Sequence, residues 1–294
     1  MFEVYKFPAG YLPFWHIGAR MYAGPFNRFL ERIKNEGKVD FLDAGAGSGW
    51  NSIMAAMKGF RVTSTDVSKN SREGIISIAQ KVGVSGNISV QYADCEHLPF
   101  ADDSFDAAIS SHVIEHIESP TEMLKEIFRV LKPGGRFLLL CPSTAHWMKL
   151  TWLMGHSIDP PDHKVPGYDI SQIRAMLPKR LVIRKAEYYG RILESNLMDL
   201  QGIFSLVTGV RANAVEDESL TPEEAKPAFY SKHWRIFSGL RGKDGGIKAG
   251  KWLLGIVYVA KELVILPLLL LCKLENILFS FMKGSLIVVE LTKE

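Results

Sequence analysis

Cysteine is scarce in this chain. Cys95, Cys141 and Cys272 lie far apart with no C-x-x-C pair. Neither a disulfide framework nor a cysteine-based zinc knuckle is therefore expected, and a reducing compartment fits best. Net charge is also small: 35 Lys and Arg against 32 Asp and Glu leave +3, too little to imply a nucleic-acid partner. The first residues, "MFEVYKFPAGYLPFW", lack a basic start followed by an unbroken apolar core, so no cleaved signal peptide is expected and the chain is placed on the cytoplasmic side. Internal repeats are absent. So is any ligand-like spacing of metal-binding side chains, since His156 near His163 is too little to argue a site; no metal is expected.

Apolar residues make up 47% of the 294, enough to bury one substantial core, and a single elaborated domain is expected. The patterning alternates. "HIGARMYAGPFNRFLERIKNEG" reads as a helix, "VDFLDAG" as a strand, Trp50 to Met57 as a helix, "FRVTSTD" as a strand ending at Asp66, and Ser68 to Lys81 as a helix. "ISVQYAD" follows as a strand ending at Asp94, then "FDAAISS" as one ending at Ser111. Ser119, Pro120 and Glu122 suggest the N-cap, first position and capping-box partner of the next helix, which "LKPGG" stops before the strand "RFLLLC". "DISQIRAMLP" reads as a short helix capped by Asp169 or Ser171, and "LVIRKAEYYG" as a sixth strand. Strands separated by helices imply a parallel sheet with crossover connections.

Three alternate glycines in "DAGAGSG" stand directly behind the first strand. Such a turn entering a helix lets backbone approach a ligand closely, yet alone it suits a dinucleotide, a mononucleotide or mere tight packing. About twenty residues on, at the end of the second strand, Asp66 stands where a carboxylate can accept both hydroxyls of a ribose. Asp43 precedes the first glycine, Asp94 ends the third predicted strand in "YADCEHLPFADDSFDAAIS", and "RVLKPGGRFLLL" comes later. Three carboxylates aimed at one sheet edge repel one another unless something bridges them.

As a set these motifs resemble the class I S-adenosylmethionine-dependent methyltransferases, in the branch acting on small molecules and lipids. The likeness is dense from Val39 to about Cys141 and looser to Gly190 and the final strand. It implies a Rossmann-like α/β fold, a seven-stranded sheet that is mostly parallel with an antiparallel last strand, "SLIVVEL", and helices on both faces. It also implies that Asp43, Gly45, Gly47 and Gly49 hold the methionine part of S-adenosylmethionine. Asp66 would bind the ribose hydroxyls, Val67 would lie against the adenine, Asp94 would accept from the adenine amino group, and Cys95 would offer its backbone amide.

Methyl transfer from a sulfonium is an in-line displacement, so the chain must position an acceptor, exclude water and in some cases remove a proton. In "SSHVIEHI", after the fourth strand, Ser111 and His112 are the candidates for contact with the acceptor, while His116 is read as holding the loop. The loop lacks the Asn/Asp-Pro-Pro-aromatic sequence with which resembling enzymes hold a nucleic-acid base, which disfavours a DNA methyltransferase. Asp162, His163 and Tyr168 follow the fifth strand. His163 could serve as general base or could cap or pack against the next helix. The N-terminal helix is expected to act as a lid, with Tyr11, Trp15 or Tyr22 near the pocket mouth.

The expected organisation is a lid helix over 1–37, the cofactor-binding core over 38–190, an insertion over 191–283 and the final strand over 284–294. Within the insertion, Trp252 to Cys272 is long enough to span a bilayer but carries Lys261, Glu262 and Pro267, so a span is disfavoured. An interfacial segment satisfies the pattern. Lys232, Arg235, Arg241, Lys243, Lys248 and Lys251 ahead of it suit an anionic membrane surface, and Trp234 and Trp252 its headgroup boundary. The alternative is a helix buried in a homodimer interface or beneath the insertion. The function expected is methyl transfer to a small lipophilic acceptor, such as a quinone precursor, an isoprenoid or a glycolipid headgroup, by a protein peripheral on the cytoplasmic membrane face. A soluble-metabolite methyltransferase and a non-catalytic, membrane-tethered cofactor-binding scaffold or sensor are the alternatives.

Overall fold

The computed structural model describes residues 17–145, 163–193 and 277–294, with 196, 267, 270–272, 274 and 275; side chains are described from residue 24. Seven strands form one sheet: β1 (Asp40–Ala44), β2 (Arg61–Thr65), β3 (Ile88–Gln91), β4 (Phe105–Ser111), β5 (Leu131–Pro142), β6 (Leu181–Tyr189) and β7 (Leu286–Lys293). Their order is β3-β2-β1-β4-β5-β7-β6. β7 runs antiparallel between β5 and β6, and the other pairs from β3 to β5 are parallel. This is the sheet expected from the sequence.

The alternation of side chains along the central strands explains why they read as near-continuous apolar runs. On β5, Phe137, Leu139 and Cys141 enter one core, while Leu138 and Leu140 enter the other. β7 divides likewise, Ile287, Val289 and Leu291 against Leu286 and Val288. The helices α1 (Ile17–Asn35) and α2 (Trp50–Met57) cover the second face, and α4 (Pro120–Val130) and α5 (Ile170–Met176) the first. The helix α3 (Lys69–Lys81) lies between β2 and β3 in the chain. From Phe26 onward α1 packs into the core: Phe26, Phe29, Leu30 and Ile33 are buried with Phe41 and Phe60. Tyr11 and Trp15, and the side chain of Tyr22, lie outside the described residues.

Local differences from the sequence reading have physical causes. Ser119 is the N-cap of α4, but its side chain makes no capping bond. Its backbone N–H donates to Glu96 at 2.8 Å, and Glu122 turns instead to Lys125 at 2.7 Å. "LKPGG" ends the helix as expected, yet the strand begins within it, at Leu131, with Gly134 at φ 72° and a register shift opposite Phe105. β3 stops at Gln91, so Asp94 stands in the following loop, bridged to His97. Asp169 rather than Ser171 caps α5, with its N–H donating to Gln172 Oε1 at 2.7 Å.

Chain leaves the sheet after β6 and re-enters at β7 through one neck. Ser285 N–H donates to the Gly190 carbonyl at 2.8 Å, and Ser143 N–H to the Ser285 carbonyl at 2.8 Å. A side chain at Gly284 would run into the Tyr189 carbonyl. Since β5 and β6 both end here, the neck sits at the sheet edge where the parallel strands finish. The basic stretch and most of the predicted insertion lie outside the described residues. Among those described, no helix is long and apolar enough to cross a membrane.

Candidate functional site

In a parallel sheet the strand ends converge on one edge, where loops build a ligand crevice. Here that edge collects the turn after β1, Asp66 after β2, Asp94 after β3 and His112 after β4. Gly45 and Ala46 donate to the Thr65 carbonyl at 3.0 and 2.8 Å, pinning the turn to β2. Gly47 N–H donates to Asp66 Oδ2 at 2.7 Å, and Ser68 N–H takes the other oxygen at 2.8 Å. Arg72 holds the backbone of this loop through the carbonyls of Asp66 and Val67 at 2.9 and 2.8 Å. Nothing in the sequence singles out Arg72, because a helical arginine ordinarily marks a solvated face.

The three glycines do different work. A Cβ at Gly45 would run into Val113, and one at Gly49 into Ile75, so both positions serve close packing. At Gly47, φ +52°, a Cβ would meet nothing within 4 Å. That glycine faces open space on the ligand side.

Beneath the turn Asp43 is wholly buried. Ser52 donates to its Oδ2 at 2.6 Å and lies 2.9 Å from Ser64 Oγ, while Oδ1 finds no hydrogen-bond partner among the described residues. Burial, and then the charge of Asp66, raises the Asp43 carboxyl to about 7. Ser52, missed in the sequence, follows from helical geometry: it lies in the first turn of α2 and looks back at the strand. The Cys95 thiol, also buried, is pushed up to about 12 by desolvation and by Asp66 and Asp94. It therefore marks where the strand-end carboxylates gather. Asp94 is half-buried and accepts from Glu96 N–H at 2.9 Å, and Val67 is 59% exposed at the rim. Such a crevice offers acceptors and negative charge, so it suits a ligand rich in donors and carrying positive charge. S-adenosylmethionine, with its ammonium, sulfonium, ribose hydroxyls and adenine amino group, fits that donor set.

The acceptor side is built on the loop after β4. His112 takes φ 56°, and its ring, with 40% side-chain exposure, places Nδ1 3.2 Å from Glu115 Oε1. Ser111, half-buried, closes β4 beside Ser110, whose buried Oγ has no hydrogen-bond partner among the described residues. His163 is brought not to Ser111 but to His116: their rings meet edge-on, 4.6 Å between centroids. Lys164 N–H donates to the Glu115 carbonyl at 2.8 Å, and Tyr168 Oη to the Ile114 carbonyl at 3.1 Å. Tyr168 is thus a buried strut of the loop rather than a group facing a ligand. Asp162 lies outside the described residues. Glu115, His116 and His163 bring one donor atom each to within 4.8 Å of one another, a convergence invisible in the sequence because His163 is so far along the chain.

The sheet order and this edge define a Rossmann-like methyltransferase fold. Residues 42–139 match the model of the methyltransferase domain family. The chain is 32% identical over 109 residues to the sterol 4-C-methyltransferase strm-1 of Caenorhabditis elegans, covering 37% of this chain and 33% of that protein. It is 35% identical over 122 residues to the ubiquinone/menaquinone biosynthesis C-methyltransferase UbiE of Geotalea daltonii, covering 40% and 52%. The chain thus spans about a third to a half of the length of these curated relatives. A geranyl diphosphate methyltransferase, solved with GPP and sinefungin, superposes with a TM-score of 0.53 at 15% identity over 94% of this chain and 80% of that one, a likeness of fold. Residues 42–139 thus carry a methyltransferase domain, of the kind whose cofactor is S-adenosylmethionine.

Proposed function

We propose that this chain transfers the methyl group of S-adenosylmethionine to a small lipophilic acceptor while resting peripherally on the cytoplasmic face of a membrane. The observation that carries the lipophilic part is the apolar surface leading into the neck. Leu270, Leu271, Leu274, Ile277, Leu278, Phe279 and Phe281 are all exposed, Ile277 at 70% and Phe281 at 80%. An apolar patch of this kind marks a membrane or partner contact. It leads into the neck, at the sheet edge where β5 and β6 end, and there Lys283 pairs with Asp169 at 2.6 Å. The sterol and quinone methyltransferases among the relatives support an acceptor of the same solubility.

The cofactor supplies an electrophilic methyl group. The chain's part is to hold and orient. Gly47 and Asp66 shape the cofactor seat, Asp43 sets its negative potential from below, and Asp94 and Val67 line its far end. On the acceptor side, a proton on His112 Nδ1 donated to Glu115 leaves Nε2 to accept a proton from an acceptor hydroxyl. Ser111 stands beside it as a hydrogen-bonding group.

The test incubates purified protein and methyl-labelled S-adenosylmethionine with a cell lipid extract, then partitions the label between organic solvent and water. Label in the organic phase that vanishes with Asp43→Ala supports the reading. Label confined to water sinks the lipophilic acceptor, and cofactor binding without transfer under any condition sinks catalysis.

A further inference from the structure

We propose that Glu115, His116 and His163 form a binding site for a divalent transition-metal ion. The three side chains come from two separated segments, and one ligand atom from each lies within 4.8 Å of the others. Two donors each about 2.1 Å from a zinc ion sit at most about 4.2 Å apart, so small ring rotations close the remaining gap.

The second observation is Glu115 itself. It is wholly buried, and its Oε2 has no hydrogen-bond partner among the described residues. A carboxylate oxygen taken out of water without a partner is costly, and a cation is what balances it. Packing of the two imidazoles explains their edge-on contact but leaves that oxygen unaccounted for. The other oxygen is already oriented, 3.2 Å from His112 Nδ1, the kind of outer contact that fixes a ligating carboxylate.

The frame is rigid where the ion needs it. Lys164 and Val165 donate their N–H groups to the Glu115 carbonyl at 2.8 and 3.4 Å, which lays the 163–165 segment along the Ile114–His116 turn. Tyr168 holds the same turn through Ile114. His116 and His163 are half-buried, so an ion can enter from solvent. Two imidazoles and a carboxylate favour zinc, manganese, iron or cobalt over magnesium or calcium, which prefer oxygen ligands throughout. Three protein ligands leave positions for water or for an acceptor's oxygen.

The experiment titrates the full-length, tag-free protein, stripped with chelator, with Zn2+ and separately with Mn2+, following heat and bound metal after gel filtration. One ion per chain is expected, together with absorption bands of low-symmetry coordination when Co2+ is used instead. His163→Ala and Glu115→Gln should each weaken binding by about 100-fold or more, while His97→Ala leaves it unchanged. Thermal unfolding of each variant checks that it folds; if Glu115→Gln does not, His163→Ala decides alone. Cofactor affinity should stay within about twofold in His163→Ala, which separates this site from the cofactor crevice. A folded wild type that retains no ion at micromolar free metal, or a folded His163→Ala that binds as tightly as wild type, overturns the proposal.

Discussion

The backbone N–H of Gly47 donates to the carboxylate of Asp66 at 2.7 Å, so the glycine turn after the first strand is fastened to the acid that ends the second. One group therefore shapes the cofactor seat and contributes to it. On the proposed reading Asp66→Ala loses a ribose contact as well as its charge-assisted bond to the turn, each worth about 1.5–3 kcal/mol. The expected outcome is a loss of cofactor affinity of about 100-fold with a lowered melting temperature, measured by isothermal calorimetry and thermal unfolding. An Asp66→Ala protein that binds the cofactor like wild type would remove Asp66 from the site.

The glycines separate packing from binding. Gly49→Ala drives a methyl into Ile75, and Gly45→Ala into Val113, so both should lower the melting temperature. Gly47→Ala meets open space and costs about 1 kcal/mol for its left-handed backbone. If that space is the cofactor seat, as proposed, the added methyl should lower cofactor affinity by tenfold or more. Equal behaviour of all three variants in both measurements would contradict this division.

Asp43 predicts a pH dependence. Its folded carboxyl titrates near 7, raised from an ordinary 3.8. Between about pH 4 and 7 the folded chain keeps a proton that the unfolded chain releases, so this group's contribution makes stability fall as pH rises across that window and flatten above it. A cationic cofactor favours the ionised form. Affinity should therefore rise from pH 5.5 to 7, by at most about tenfold per unit, with proton release on binding. Calorimetry in buffers of different ionisation heat measures both, and Asp43→Asn should abolish the slope.

If the apolar approach to the neck contacts lipid, placing charge there acts on membrane binding and not on the crevice. Ile277→Asp with Phe281→Asp should reduce co-sedimentation with anionic vesicles by about tenfold or more while leaving cofactor affinity unchanged. Unaltered sedimentation would assign the patch to protein contacts.

What the sequence disclosed depended on range. The β1 turn, Asp66 and the antiparallel last strand were legible because each is a local pattern or a strand-end residue with one geometric destination. Glu96 capturing the Ser119 N–H was not, since a competing acceptor from another loop overrides a local capping rule. The burial of Asp43 under its own turn, and of Tyr168 against Ile114, depends on how segments stack. For His163 the sequence offered a general base or a packing role, and its neighbours could be known only once 163–168 was laid on the turn that begins at Ile114.

The neck between Gly190 and Ser285 has one more consequence. β6 and β7 are adjacent and antiparallel, with Tyr189 opposite Leu286, which is the geometry of a hairpin. Everything from 191 to 284 occupies the place of its reverse turn. Replacing a closed loop on the order of a hundred residues by a four-residue turn changes the loop-closure entropy by only about 3 kcal/mol. Such a graft should leave the sheet and its cofactor crevice standing, a minimal domain on which other turns could be installed.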